Sequence, residues 1–137
     1  MITLGDFDQR FWDSLPEDKK EVYLNQKRGT YHTLLWNRRL KIGIAGVILN
    51  PKHKEFGFFG IYIVKSSRGK GILKKAAELI FKKYKLKSLI ATVKKYNKAS
   101  IKAHLKAGFI PVKDLTQADM IEKGYQRPDE VRFVYRG

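Results

Sequence analysis

The sequence predicts an α+β fold, with one mixed, mostly antiparallel sheet of about six to seven strands and about four helices. Three observations predict it. Residues 31–36, 40–49 and 55–64 are rich in β-branched and aromatic side chains and are parted only by short turns. Residues 61–93 read strand, glycine-bearing turn, helix, strand, an order that requires a crossover and a parallel pair. The tail Glu130-Val131-Arg132-Phe133-Val134-Tyr135 alternates, with Val131, Phe133 and Tyr135 on one face, as a half-buried strand does.

In chain order, Ile2-Thr3-Leu4 is a short first strand, and residues 8–14 form a helix with Phe7, Phe11 and Trp12 on one face. Ser14-Leu15-Pro16-Glu17 has the residues of a capping box with proline in the first turn, so a second helix is expected to about Asn25. Asn37-Arg38 makes the tight turn of a hairpin, and residues 50–54 a second turn into the third long strand. From Ile72 the apolar residues adopt helical spacing (Leu73, Ala76, Ala77, Ile80, Tyr84), ending near Lys85, and residues 88–93 return as a buried strand. Asn97 caps a helix over residues 98–106, and Gly108 closes it. Residues 109–112 are extended. Residues 114–127 give only a turn of helix around 117–122. No repeat or linker interrupts the chain, so residues 1–137 make one domain.

The chain has no cysteine, which excludes disulfides, thiolate metal sites and a cysteine nucleophile, and no metal site is expected. Its apolar runs are far short of the ~20 residues that span a bilayer, and no signal peptide is visible, so no membrane role and a cytoplasmic location are expected. The net charge of +16 is unevenly spread. Between Lys65 and Lys106 every charged residue except Glu78 is basic, whereas Asp6, Asp8, Asp13, Glu17, Asp18 and Glu21 make the N-terminal region acidic. Such a field favours an anionic partner: a phosphorylated cofactor, a nucleic acid or an acidic protein. A lysine-rich composition spread over the whole surface is the alternative.

The stretch Ile61-Tyr62-Ile63-Val64-Lys65-Ser66-Ser67-Arg68-Gly69-Lys70-Gly71-Ile72-Leu73 concentrates the chemistry. Gly69 and Gly71 let the backbone turn and let a ligand approach. The helix start offers unpaired N–H groups and the positive end of its dipole, and Arg68 and Lys70 add full charges. The reading is a phosphate cradle. It is neither of the common nucleotide motifs, whose glycine spacings are absent.

Arg68-x-x-Gly71-x-Leu73 resembles the acyl-CoA signature of the GNAT acyltransferase superfamily, Gln/Arg-x-x-Gly-x-Gly/Ala, departing at Leu73. Asn97-x-x-Ser100-x-x-x-His104-x-x-x-Gly108-Phe109 resembles the second hallmark, Asn-x-x-Ala/Ser-x-x-x-Tyr-x-x-x-Gly-Phe, departing at His104. The resemblance implies a GNAT-like acyltransferase domain whose sheet is splayed at an acyl-CoA cleft between the strands ending at Val64 and Val93. It implies acetyl-CoA as acyl donor, with pyrophosphate on the N–H groups of Gly69, Lys70, Gly71, Ile72 and Leu73 beside Arg68. Pantetheine would pair with main chain around Tyr62, Ile63 and Val64, and Asn97 and Ser100 would lie near the cofactor.

By the same resemblance His104 stands where a tyrosine usually protonates the departing thiolate, and a histidine is chemically fit for that. Glu55 is the carboxylate nearest the role of general base, with His53, Tyr62 and loss of the proton to solvent left open. The implied reaction is direct transfer to an amine of an unidentified acceptor (small molecule, peptide or protein), and homodimers are frequent in the family. Two other readings stand beside it. One is a nucleic-acid-binding or nucleic-acid-modifying protein on the same fold, contacting phosphates through Lys74, Lys75, Lys82, Lys83, Lys94 and Lys95. The other is a non-catalytic CoA-binding relative.

Overall fold

Seven strands and four helices form in the computed structural model, which describes residues 1–137 apart from the side chain of Leu115. The strands are β1 (Ile2–Gly5), β2 (Thr30–Trp36), β3 (Leu40–Leu49), β4 (Phe56–Ile63), β5 (Ser88–Lys94), β6 (Ile110–Pro111) and β7 (Glu130–Tyr135). They make one sheet in the order β1-β2-β3-β4-β5-β7-β6, in which only β4 and β5 run parallel. The β2–β3 hairpin turns where expected, with Asn37 and Arg38 both at positive φ (51° and 62°), matching the right-handed twist of its strands. The last strand of the chain slots between β5 and the two-residue β6, so β7 is an interior strand and Val134 is buried along with Phe133 and Tyr135.

The helices are α1 (Gln9–Ser14), α2 (Ile72–Lys83), α3 (Lys98–Lys106) and α4 (Asp114–Glu122). Along β5, Leu89, Ala91 and Val93 are buried on one face, and on that face α2 seats Ile72, Leu73, Ala76, Ala77 and Ile80. Ala76 and Ala77 let the helix axis lie close to the sheet, and Ile80 fills the space beside them. No helix among the described residues is long and apolar enough to cross a membrane.

The expected second helix does not form. Ser14 ends α1 instead of opening a new helix, its Oγ donating to the Phe11 carbonyl at 2.7 Å. Pro16 is extended, only a 3-10 turn at Glu17–Glu21 follows, and Val22 leaves it in an extended conformation. The physical reason lies across the sheet: the backbone of Tyr23 rests on Gly60 of β4, where an added Cβ would stand 2.8 Å from the Tyr23 oxygen. Residues 17–24 are therefore held as a strap. The fourth helix is α4 instead, longer than the turn expected there and starting at Asp114, whose charge suits a helix N-terminus.

Candidate active site

β4 and β5 pair only from Phe56↔Ser88 to Phe59↔Ala91, yet β4 continues to Ile63 and β5 to Lys94. Beyond Phe59 and Ala91 the strands part, and a cavity of about 780 Å³ occupies the gap. The Val64 N–H points the other way, donating to the Ile42 carbonyl of β3 at 2.9 Å. Peptide groups alternate sides along a strand, so those of Ile63 and Ile61, not those of Tyr62 and Val64, face the gap. The Ile63 carbonyl there accepts from Arg68 Nε at 2.8 Å.

The turn into α2 opens onto the same cavity. Gly69 and Gly71 sit at φ +78° and +74°, and a Cβ on either would meet nothing within 4 Å. Gly71 is the N-cap residue and no side chain caps the helix, so its first N–H groups are left to a ligand. Such a bare, positive, glycine-lined helix start fits a diphosphate. Leu73 lies in the apolar core at 8% exposure, so its bulk does not shut the turn. Arg68 lines the cavity, while Lys70 is exposed and is not part of its lining.

From the other side α3 brings in Asn97, Ser100 and His104. Asn97 caps the helix, its Oδ1 accepting from the Ser100 N–H at 3.1 Å. His104 is 5% exposed, edge-on to Phe109 and stacked on Phe133. Its Nδ1 lies 2.8 Å from the Ser100 carbonyl. A carbonyl only accepts, so Nδ1 carries the proton and Nε2 carries a lone pair. Burial lowers the His104 pKa below the usual histidine range, the bond to Ser100 opposing it. At rest, this imidazole is a proton acceptor.

Glu55 is not brought to the site. It precedes β4 at the opposite end from the gap, its carbonyl accepting from Lys87 and Ser88 and its carboxylate 3.9 Å from His53. Of the six lysines offered for nucleic acid, Lys74, Lys75, Lys82, Lys83 and Lys95 are exposed, whereas Lys94 is 15% exposed and paired with Asp129 at 3.1 Å.

The match to known proteins agrees with this geometry. Residues 7–110 match the model of the acetyltransferase (GNAT) domain. The chain belongs to the GNAT acetyltransferase family. It is by family an acyl-transferring enzyme. Similar solved structures include spermidine N-acetyltransferase from Vibrio cholerae in complex with CoA and spermine (15% identity, TM-score 0.71, 98% of this chain and 94% of that one). Another is the Campylobacter jejuni N-acetyltransferase PseH in complex with acetyl coenzyme A (14% identity, TM-score 0.68, 99% of both chains). A third is the microcin C7 self-immunity acetyltransferase MccE with acetyl-CoA and AMP (16% identity, TM-score 0.62, 81% of this chain). The present chain spans 62% of that protein's length. No curated protein matches by sequence.

In this GNAT domain the strap is tied to both sides of the gap. Asp18 accepts from Tyr62 Oη at 2.7 Å and from Arg68 Nη2 at 2.8 Å, and these two donors, Arg68 first, hold its carboxyl below the usual range. Across the gap Tyr96 donates to Glu21, and Tyr23 donates to Glu130 at the start of β7. Burial, aided by Glu130, raises the Tyr23 pKa. Arg68 keeps N–H groups free, because only Nε and one N–H of Nη2 are engaged. Sequence reasoning missed Asp18, Tyr23 and Glu130. The one signal available was the acidic N-terminal region in a chain of net charge +16.

Two histidines, His104 buried and His32 half-buried, set an acid limit on stability. His104 and His32 both have lowered pKa values, chiefly through burial, and His32 also bonds Tyr84 Oη at 2.6 Å. The unfolded chain takes up these protons more readily, so folding stability is complete above about 6.5 and falls as pH drops through that value toward the folded-state pKa values. A urea midpoint lower at pH 5.5 than at pH 7.5 is expected. Equal midpoints would mean that neither group is held neutral.

Proposed function

We propose that this chain is an acyl-CoA-dependent N-acyltransferase, using acetyl-CoA, that passes the acyl group directly to an amine in a ternary complex. The observation that carries this is the uncapped start of α2, opening through two bare glycines into the gap between β4 and β5. There the N–H groups of Ile72 and Leu73 and the free N–H groups of Arg68 would hold the diphosphate. The peptide groups of Ile61 and Ile63 would pair with the amides of the pantetheine arm, as an added strand pairs with an edge. That membership of the GNAT family accompanies this geometry supports the choice of donor.

His104 is assigned the proton traffic. As the N–C bond forms and the C–S bond breaks, nitrogen sheds a proton to Nε2 of His104, which returns it to the departing sulfur. One neutral imidazole thus acts first as base and then as acid, and no carboxylate base is needed. Burial favours the neutral ring between turnovers, and the Ser100 carbonyl keeps its proton on Nδ1 so that Nε2 is the accepting atom. Holding both reactants in one cleft supplies much of the acceleration.

Calorimetry with CoA, on protein freed of copurified ligand, tests the reading. Saturable binding is expected, weakened about ten- to hundredfold in Arg68→Glu, which removes charge-assisted donors and sets a second carboxylate beside Asp18. A wild-type chain that binds no CoA would end it.

A further inference from the structure

On the sheet face opposite α2 lies a second cavity of about 340 Å³, within the size range of small-molecule sites. It meets the first at Tyr23, Phe59 and Thr92, which line both. The parting of β4 and β5 is thus a passage from one face of the sheet to the other.

Among the described residues, two buried side-chain atoms have no hydrogen-bond partner, Gln126 Oε1 and Arg132 Nε, and both residues line this second cavity. Gln126 is 4% exposed. Its amide is fixed, because Nε2 donates to Gln117 Oε1 at 3.1 Å and to the Glu130 carbonyl at 3.0 Å, both pure acceptors here, so Oε1 is the atom left over. Arg132 is half-buried; its Nη atoms donate to Met120 Sδ and the Tyr125 carbonyl, and its guanidinium lies 5.8 Å from the Phe58 ring centroid. No carboxylate pairs with it among the described ion pairs, and burial lowers its pKa, the charge of Glu130 opposing it. Buried polar groups without partners are costly, and each calls for an explanation, a bound molecule among them.

The lining of this cavity is net positive. Arg127 and Arg132 stand in none of the described ion pairs, while its one carboxylate, Glu130, lies 3.8 Å from Lys94 Nζ and accepts from Tyr23 and the Arg127 N–H. An anionic group therefore finds an unpaired guanidinium here.

We propose that this cavity receives the acceptor, and that it selects an α-amino acid, whose carboxylate pairs with Arg132 while its amine enters the passage. Arg132 stems from beside the junction of the two cavities: Thr92 and Arg132 are register partners on β5 and β7, with Cβ atoms roughly 5 Å apart, and Thr92 lines both cavities, which suits an acceptor whose amine and carboxylate are close together. Phe58 and Tyr125 supply an apolar wall for the amino acid side chain. The ammonium group, once it has lost a proton to solvent, donates toward Gln126 Oε1 or attacks the thioester as described. The inference rests on the proposed N-acyltransferase activity.

The test compares α-amino acids with their C-terminal amides, and with spermidine, as acceptors from acetyl-CoA, following thiol release and product mass. The free acids are expected to exceed their amides by roughly ten- to hundredfold in kcat/KM, with spermidine poorer still. Arg132→Gln is expected to remove most of the ratio between acid and amide, the acid losing the more. Amides or spermidine preferred by the wild type, or no amino acid accepted, would overturn the proposal whether or not the variant folds. Calorimetry with CoA, run beside it, separates the cases: CoA bound but amino acids refused sinks this inference alone, and CoA not bound sinks the activity beneath it.

Discussion

Replacing His104 by phenylalanine is expected to lower the acyl-transfer rate by about 10²–10⁴ while the protein remains folded. Phenylalanine keeps an aromatic ring against Phe109 and Phe133 but has no nitrogen to carry a proton. The more telling measurement is the pH profile of kcat/KM for the wild type. A neutral imidazole that accepts the first proton is lost as pH falls, so the rate should decline on the acid side through an apparent pKa below about 6.5. The alternative, an imidazolium that donates from the resting state, gives the opposite limb, with the rate falling as pH rises through the same value. Burial decides between them, because it favours the neutral ring, in which the Ser100 carbonyl holds the proton on Nδ1 and leaves Nε2 to accept. An alkaline limb absent from His104→Phe would refute the assignment. So would a variant as fast as the wild type, which would reduce His104 to a packing residue.

The glycine turn into α2 and the cap of α3 were legible in the sequence because their determinants are contiguous. Gly69 and Gly71, the helical spacing from Ile72, and Asn97 with Ser100 three residues on all act within a turn of the backbone, so local pattern and local structure coincide. Contacts made across the fold were not legible. Tyr23 and Glu130 are separated by 107 residues and Asp18 and Tyr62 by 44, and no local periodicity encodes such pairs. The same contacts explain the missing helix after Ser14: a capping-box pattern with a proline is a weak local preference, and three side-chain tethers plus the close approach of Tyr23 to Gly60 outweigh it. Of the peptide groups expected at the gap, that of Ile63 faces it, whereas those of Tyr62 and Val64 face β3 and Ile61 supplies the other. Register decides that, and a strand read alone does not reveal which edge its partner will take. The unpaired Arg132 was invisible for a related reason. In the alternating tail it reads as an ordinary outward-facing cation, and only the inserted position of β7 makes it a cavity wall.

Truncating Ile80 to alanine is expected to destabilise the chain by about 2–5 kcal/mol, a large part of the about 5–15 kcal/mol typical of whole domains. Ile80 has no exposure and sits where α2 meets the sheet, between Ala76 and Ala77 on one side and Leu86 on the other in the same apolar cluster. Small neighbours cannot expand to fill the hole, so the cavity cost adds to the lost burial. The thermal midpoint should fall by roughly 8–20 °C. The consequence reaches the cradle, because the first turn of α2 has no side-chain cap and depends on packing along the helix to hold Gly71 and the following N–H groups in place. CoA, binding the folded chain alone, should recover about 2.7 kcal/mol at a hundred times its dissociation constant. Thermal scans of both proteins with and without CoA therefore test the link between core and cradle. If CoA raises the wild-type midpoint and leaves that of Ile80→Ala unmoved, the packing of α2 sets the cradle's geometry. If it raises both alike, the turn holds its shape without the helix behind it, and the cradle is a local structure carried by its glycines.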